Sequence, residues 1–190
     1  MAGKIYITRR GYDPQKGGYI KDPYLDGRPT MGACRPDIRK SLKLGDTIFV
    51  VSGSVPGFKQ FVIGCFDVQK KITMQEAYKY FPEQRLHLRE DGQPAGNVIC
   101  DAEGHRNPLD DHSNFAGRLS DYIIGGNEII LRTDEEIEAG REQTMDILRS
   151  VFNKAGTRPF DIFGRAAPRL NGKQVDKLKT WLESIKQGGA

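Results

Sequence analysis

The residues of this chain best suited to chemistry crowd into Glu103–Gly117, EGHRNPLDDHSNFAG, its most polar segment. His105, Asp110, Asp111 and His112 lie there within one short run. Two imidazoles and two carboxylates at that density could hold a divalent cation. Alternatively, His105 or His112 could act as a general acid or base, because histidine titrates near neutrality. The spacing matches no helical or zinc-site pattern, and no nucleophile stands beside either histidine in sequence. The competing expectation is a surface loop in which Asp111 or Ser113 caps a turn. His105, Asp110, Asp111 and His112 are therefore the catalytic candidates, with no metal set assigned and no cofactor implied.

Two smaller features carry chemistry of their own. Cys34 beside Arg35 reads either as a thiol of lowered pKa, hence reactive, or as a small buried hydrophobe. Gly125-Gly126-Asn127 could offer backbone N–H groups to an anion, but a tight hairpin turn needs the same residues and is the expectation here. The sequence contains no P-loop, GxSxG, HExxH or dinucleotide fingerprint.

The elements that must position these groups are legible in outline. Gly32–Ser52, GACRPDIRKSLKLGDTIFVVS, reads as a short basic helix opened by Pro36, a Gly45-Asp46 turn and a buried strand Thr47–Val51. Lys4–Arg9 alternates as a first strand. Asp13–Thr30, rich in Gly and Pro, is expected to be loop; its tyrosines (Tyr19, Tyr24) and cations either stack on bases or cover a sheet edge. Phe58–Val68 is a second buried strand. Thr73-Met-Gln-Glu76 has the capping-box pattern, opening a helix from about Met74 to Phe81. Asn97–Asp101, Leu119–Ile124 and Glu128–Leu131 read as strands. Asp134 begins a long helix, Thr157–Arg169 is a basic loop, and Asn171 caps a last helix. That helix has an apolar face of Val175, Leu178, Trp181, Leu182 and Ile185, with Gln187–Ala190 expected to fray. Strands and helices do not alternate regularly enough for a doubly wound sheet. The expectation is α+β, with a curled, mostly antiparallel sheet or small barrel and two C-terminal helices.

Composition sets the outer limits. With 190 residues, 37% hydrophobic and 28% charged, the chain is expected to form one domain (1–190), with an α+β core over 4–133 and a helical extension over 134–190. The net charge of +4 permits an anionic partner without requiring one. No apolar run is long enough to span a membrane, and MAGKIYITRR does not resemble a signal peptide. Three widely spaced cysteines without a CxxC fit a reducing cytoplasm rather than a disulfide framework.

Several stretches line up with one family. They are Ala33-Cys-Arg-Pro-Asp-Ile-Arg-Lys40, Leu44-Gly-Asp-Thr-Ile-Phe49, Phe61-Val-Ile-Gly-Cys-Phe-Asp-Val-Gln-Lys-Lys-Ile-Thr73 with Glu76-Ala-Tyr78, and Leu119-Ser-Asp-Tyr-Ile-Ile-Gly-Gly-Asn127. In order and spacing this resembles the nucleotide-modification-associated (Nmad) domains of bacterial and phage proteins, over residues 4–130. Arg35 stands where that pattern has lysine, and Ile123 where it tends to be aromatic. The resemblance implies DNA or a nucleotide as partner, with DNA-modification proteins as further partners. The strand–Gly-Asp–strand order is also similar to the small barrels of PUA-like modified-base readers, a likeness of fold only. Under this reading Arg9, Arg10, Arg35, Arg39, Lys40 and Lys43 would hold phosphates. Tyr6, Tyr12, Phe49 and Tyr122 with Asn127 would form a pocket for an extruded base. The alternative is an enzyme acting on a nucleobase or nucleotide through the loop 105–112.

Overall fold

The computed structural model describes residues 2–18 and 20–188; Met1, Tyr19 and the terminal Gly189-Ala190 lie outside the described residues. Eight strands form in the described chain: β1 Gly3–Ile7, β2 Thr30–Met31, β3 Thr47–Val51, β4 Val62–Ile72, β5 His87–Leu88, β6 Pro94–Ala95, β7 Tyr122–Ile130 and β8 Arg169–Leu170. Five helices accompany them: α1 Pro36–Ser41, α2 Met74–Tyr80, α3 Asp134–Phe152, α4 Pro159–Phe163 and α5 Gly172–Gly188. The fold is α+β. Six strands follow the order β2-β7-β4-β3-β1-β8, while β5 and β6 form a separate hairpin. β1 and β3 run parallel, and the pairs β1–β8, β2–β7 and β3–β4 run antiparallel. The sheet is mixed and open, ending at β2 and β8, and so does not close into the small barrel that was one expectation.

Contacts divide the chain into two compact units. The first comprises residues 1–19, 45–67 and 127–190, and the second 20–44 and 68–126. The first unit buries Ile5, Phe49 and Val62 from its strands, Phe61 just before β4, and Leu148, Val175, Leu178 and Leu182 from α3 and α5. The second is built on Ala33, Ile72, Met74, Ala77, Val98, Ile99, Cys100 and Tyr122. No described helix is long and apolar enough to cross a membrane.

Local chemistry explains where the elements begin and end. Both bonds of the capping box at α2 form: Thr73 Oγ1 accepts the Glu76 amide, and the Glu76 carboxylate accepts the Thr73 amide. Thr133 and Glu136 repeat the device at α3, and Asn171 with Gln174 makes a reciprocal pair at α5. Trp181, expected in the core, is half-buried and donates its indole N–H to Gln143.

Four expectations change. Gly125-Gly126-Asn127 is not a hairpin turn: β7 runs through it unbroken. The Gly125 amide donates to Pro29 O, and Gly126 leaves room for the Gln69 amide where a Cβ would collide. Asn127 sits at φ 50°, a left-handed conformation that asparagine tolerates, so the three residues bend a strand instead of ending it. β4 starts at Val62 because Phe58–Phe61 is taken up by a turn and by Ser52, whose hydroxyl accepts the Phe61 amide. Asn97–Asp101 is irregular, with Asn97 to Cys100 buried, since the Asn97 and Val98 amides both turn to Gln84 O. Thr157–Arg169 contains α4, which Pro159 starts and Asp161 caps.

Candidate active site

The second unit brings one of the sequence candidates against a residue far from it in the chain. Cys34 Sγ lies 3.8 Å from His112 Nε2, and His112 Nδ1 lies 2.6 Å from Asp110 Oδ1. The Asp110 carboxylate is wholly buried and accepts a second bond from Arg106 Nε at 2.9 Å. As an acceptor-only group, it requires His112 to donate Nδ1–H, which leaves the Nε2 lone pair facing the thiol. His112 keeps 18% of its side-chain surface open to solvent, and Cys34 is half-buried. This is a thiol–imidazole–carboxylate row.

The row is held on both sides by arginines. Arg118 donates to Ala33 O at 2.6 Å and to Ser113 O at 3.0 Å, so one guanidinium ties the residue before Cys34 to the residue after His112. Arg106 also donates to His112 O. Arg39 is fully buried and commits its guanidinium to the carbonyls of Cys34, Ser120 and Arg118. Between Cys34 and α1, Arg35 adopts φ 48°, ψ 59°. A left-handed non-glycine residue costs roughly 1–2 kcal/mol, and the surrounding bonds must hold it.

Asp22 approaches Cys34 from another direction. Its carboxylate accepts the amides of Gly32, at 2.9 Å, and of Cys34, together with Asn97 Nδ2 at 3.2 Å. Asn97 in turn accepts the Tyr122 hydroxyl and donates to Thr30. Gly32 is required here, because a Cβ would strike Asn97 O and the Tyr122 ring. Burial, with the Asp22 carboxylate second, raises the pKa of the Cys34 thiol far above its ordinary value. The resting group is therefore a neutral thiol, not the activated thiolate that Arg35 suggested from sequence.

The remaining candidates separate. His105 is exposed and paired with Asp101, and Asp111 is exposed with an oxygen 4.0 Å from His112 Nδ1. Arg35 forms a bidentate pair with Asp37, and Lys40 and Lys43 are exposed on α1 and just beyond it. Arg39 cannot serve as a surface phosphate ligand, since its donors are committed inside the unit. The proposed base pocket is also corrected. Tyr6 and Phe49 are buried in the first unit, and Tyr122 is buried in the second, stacked on Phe81 at 5.8 Å between centroids. None of these three rings offers a face to an incoming base. Tyr12 is half-buried, its backbone bonded to Arg9 and Gly53, and the exposed Asn127 donates to Asp67. Arg9 and Arg10 are exposed in the first unit.

Sequence reasoning missed the pairing of Cys34 with His112 and the part played by Asp22, Arg106 and Arg118. A separation of 78 positions between thiol and imidazole carries no spacing signal. No family model, curated protein or solved structure matches the chain.

Proposed function

We propose that the protein is an enzyme acting on a nucleobase or nucleotide, with Cys34 as nucleophile and His112 as its base. The observation that carries this is the row itself: Cys34 Sγ, His112 Nε2, then His112 Nδ1 on the buried Asp110. Nucleophilic thiols need either a depressed pKa or an adjacent base positioned by a third group. Cys34 has the second and not the first. In the proposed step Cys34 Sγ bonds to an electron-poor carbon as the bond from that carbon to its leaving group breaks, and the thiol proton passes through Nε2 to the leaving group. Asp110 stabilises the imidazolium that forms in between. A water molecule, deprotonated by Nε2, then displaces Sγ from the carbon, and Nε2 returns the proton to the sulfur. The substrate class rests on the resemblance to nucleotide-modification-associated domains, to which we assign the chain within this proposal.

The test is turnover of deoxynucleoside monophosphates, triphosphates and oligonucleotides bearing canonical or modified bases, followed by mass spectrometry. One substrate class should be converted, and Cys34→Ser and His112→Ala should each lose at least about 100-fold of that rate. Full activity in either variant, or no conversion of any compound, contradicts the proposal.

A further inference from the structure

The first unit contains a crevice that has no part in the Cys34 row. β1 and β3 form a parallel pair, with Ile7 opposite Val51 at their carboxyl ends. Here the two exits are stitched together: the Gly11 amide donates to Ser54 O at 3.0 Å and the Gly53 amide to Tyr12 O at 2.6 Å. Gly53 permits this, since a Cβ there would collide with Arg9 O. Two adjoining cavities, of about 400 Å³ and about 320 Å³, open beside the exits and share Ser54, Gln60 and Arg158. Each alone falls in the size range of small-molecule sites.

The lining has a distinct chemistry. Arg10 lines the smaller cavity, Lys59, Arg141 and Arg149 the larger, and Arg158 both. Arg158 is partnered by Asp161. Arg10 and Lys59 are exposed and, among the described residues, have no carboxylate partner. Phe160 is 46% exposed and lines the smaller cavity. Glu142 and Asp146, the latter engaged by Arg149, line the larger cavity only, and among the described residues no carboxylate lines the smaller one, where Arg10 and Phe160 stand. An aromatic platform beside unpaired cations suits a planar base attached to phosphate.

We propose that this crevice binds a nucleotide unit, with the base on Phe160 and the phosphate at Arg10 and Lys59. The unit could come from a free nucleotide or from a single strand; the chemistry is shared. The proposal does not depend on catalysis by Cys34.

Fluorescence anisotropy of labelled octathymidylate, with dTMP as competitor, tests it at two salt concentrations. The wild type should bind in a salt-sensitive way. Arg10→Ala/Lys59→Ala should weaken binding at least about tenfold and lower the salt slope by about 0.7, the value for one phosphate contact on a single strand. Phe160→Ala should weaken it about tenfold at unchanged slope, because stacking is not a counterion effect. Competition by dTMP assigns the site to free nucleotide, and binding of the octamer alone assigns it to a strand. Binding is read here without turnover, which separates this outcome from the fate of the catalytic reading. No binding at low salt, or equal binding by all variants, overturns the proposal.

Discussion

Asp22 accepts the backbone N–H of Cys34, the residue whose thiol faces His112. A carboxylate thus occupies the amides of Gly32 and Cys34, donors that in many thiol enzymes face developing negative charge. It also places a negative charge beside the sulfur, opposing ionisation. Burial and, after it, Asp22 hold the thiol protonated, and on the proposed mechanism His112 removes that proton.

Asp22→Asn should therefore make Cys34 easier to ionise. Removing the anion lowers the thiol pKa, so the thiolate-driven limb of the rate of alkylation by iodoacetamide should move to lower pH. Cys65 and Cys100 are buried, so peptide mapping should find the label on Cys34. An unmoved limb in a folded Asp22→Asn protein would show that burial alone sets the thiol's behaviour.

Asp110 fixes which ring nitrogen of His112 carries the proton. In the Asp110→Asn variant the side-chain amide can turn its NH2 to Nδ1, which would put the proton on Nε2 and aim a donor at the sulfur. The substitution should move the His112 ring from the Nδ1–H to the Nε2–H form, read from two-bond ¹H–¹⁵N correlations of the imidazole. Turnover should fall by up to about 10⁴-fold, the size of effect produced by a wrong tautomer elsewhere. An unchanged tautomer would remove Asp110 from this role.

In the first unit Asp13 and Arg141 form a buried bidentate pair, at 3.0 and 2.8 Å. Burial alone would raise the Asp13 pKa. The Arg141 hydrogen bonds, with the amides of Lys16 and Gln15, outweigh that and hold it below the ordinary carboxylate value of 3.8. Its folded pKa is thus depressed, so its contribution to stability is complete above about pH 4 and is lost as pH falls through the folded value. Asp13→Asn should cost about 3 kcal/mol at pH 7, since it leaves the Arg141 charge buried without its partner. It should also flatten the acid limb of a plot of Tm against pH. A loss under about 1 kcal/mol would show that the pair contributes little.

How much of this was legible in the sequence depended on the range of the interaction. The capping box at Thr73 and Glu76 is encoded three residues apart and forms as written. Thr47–Val51 is a continuous β-branched and aromatic run, and it is a buried strand at those limits. Gly125-Gly126-Asn127 misled because turn residues also serve to bend a strand where another backbone passes close by. The site was half visible. His112 and Asp110 stood out by composition, but their partner Cys34 is brought to them only by the tertiary fold. Arg39 shows the converse: a cation that reads as a surface ligand becomes an internal tie when three carbonyls converge on it.

The central claim is that His112 acts on the proton of Cys34, and the pH dependence of Cys34 alkylation measures it most directly. In the wild type the rate below the thiol's own ionisation should contain a component that depends on Nε2 accepting the proton. It should rise further where the thiol itself ionises. His112→Ala should lose the first component and keep the second. A wild-type profile with only the high-pH rise, unchanged in His112→Ala, would contradict the account.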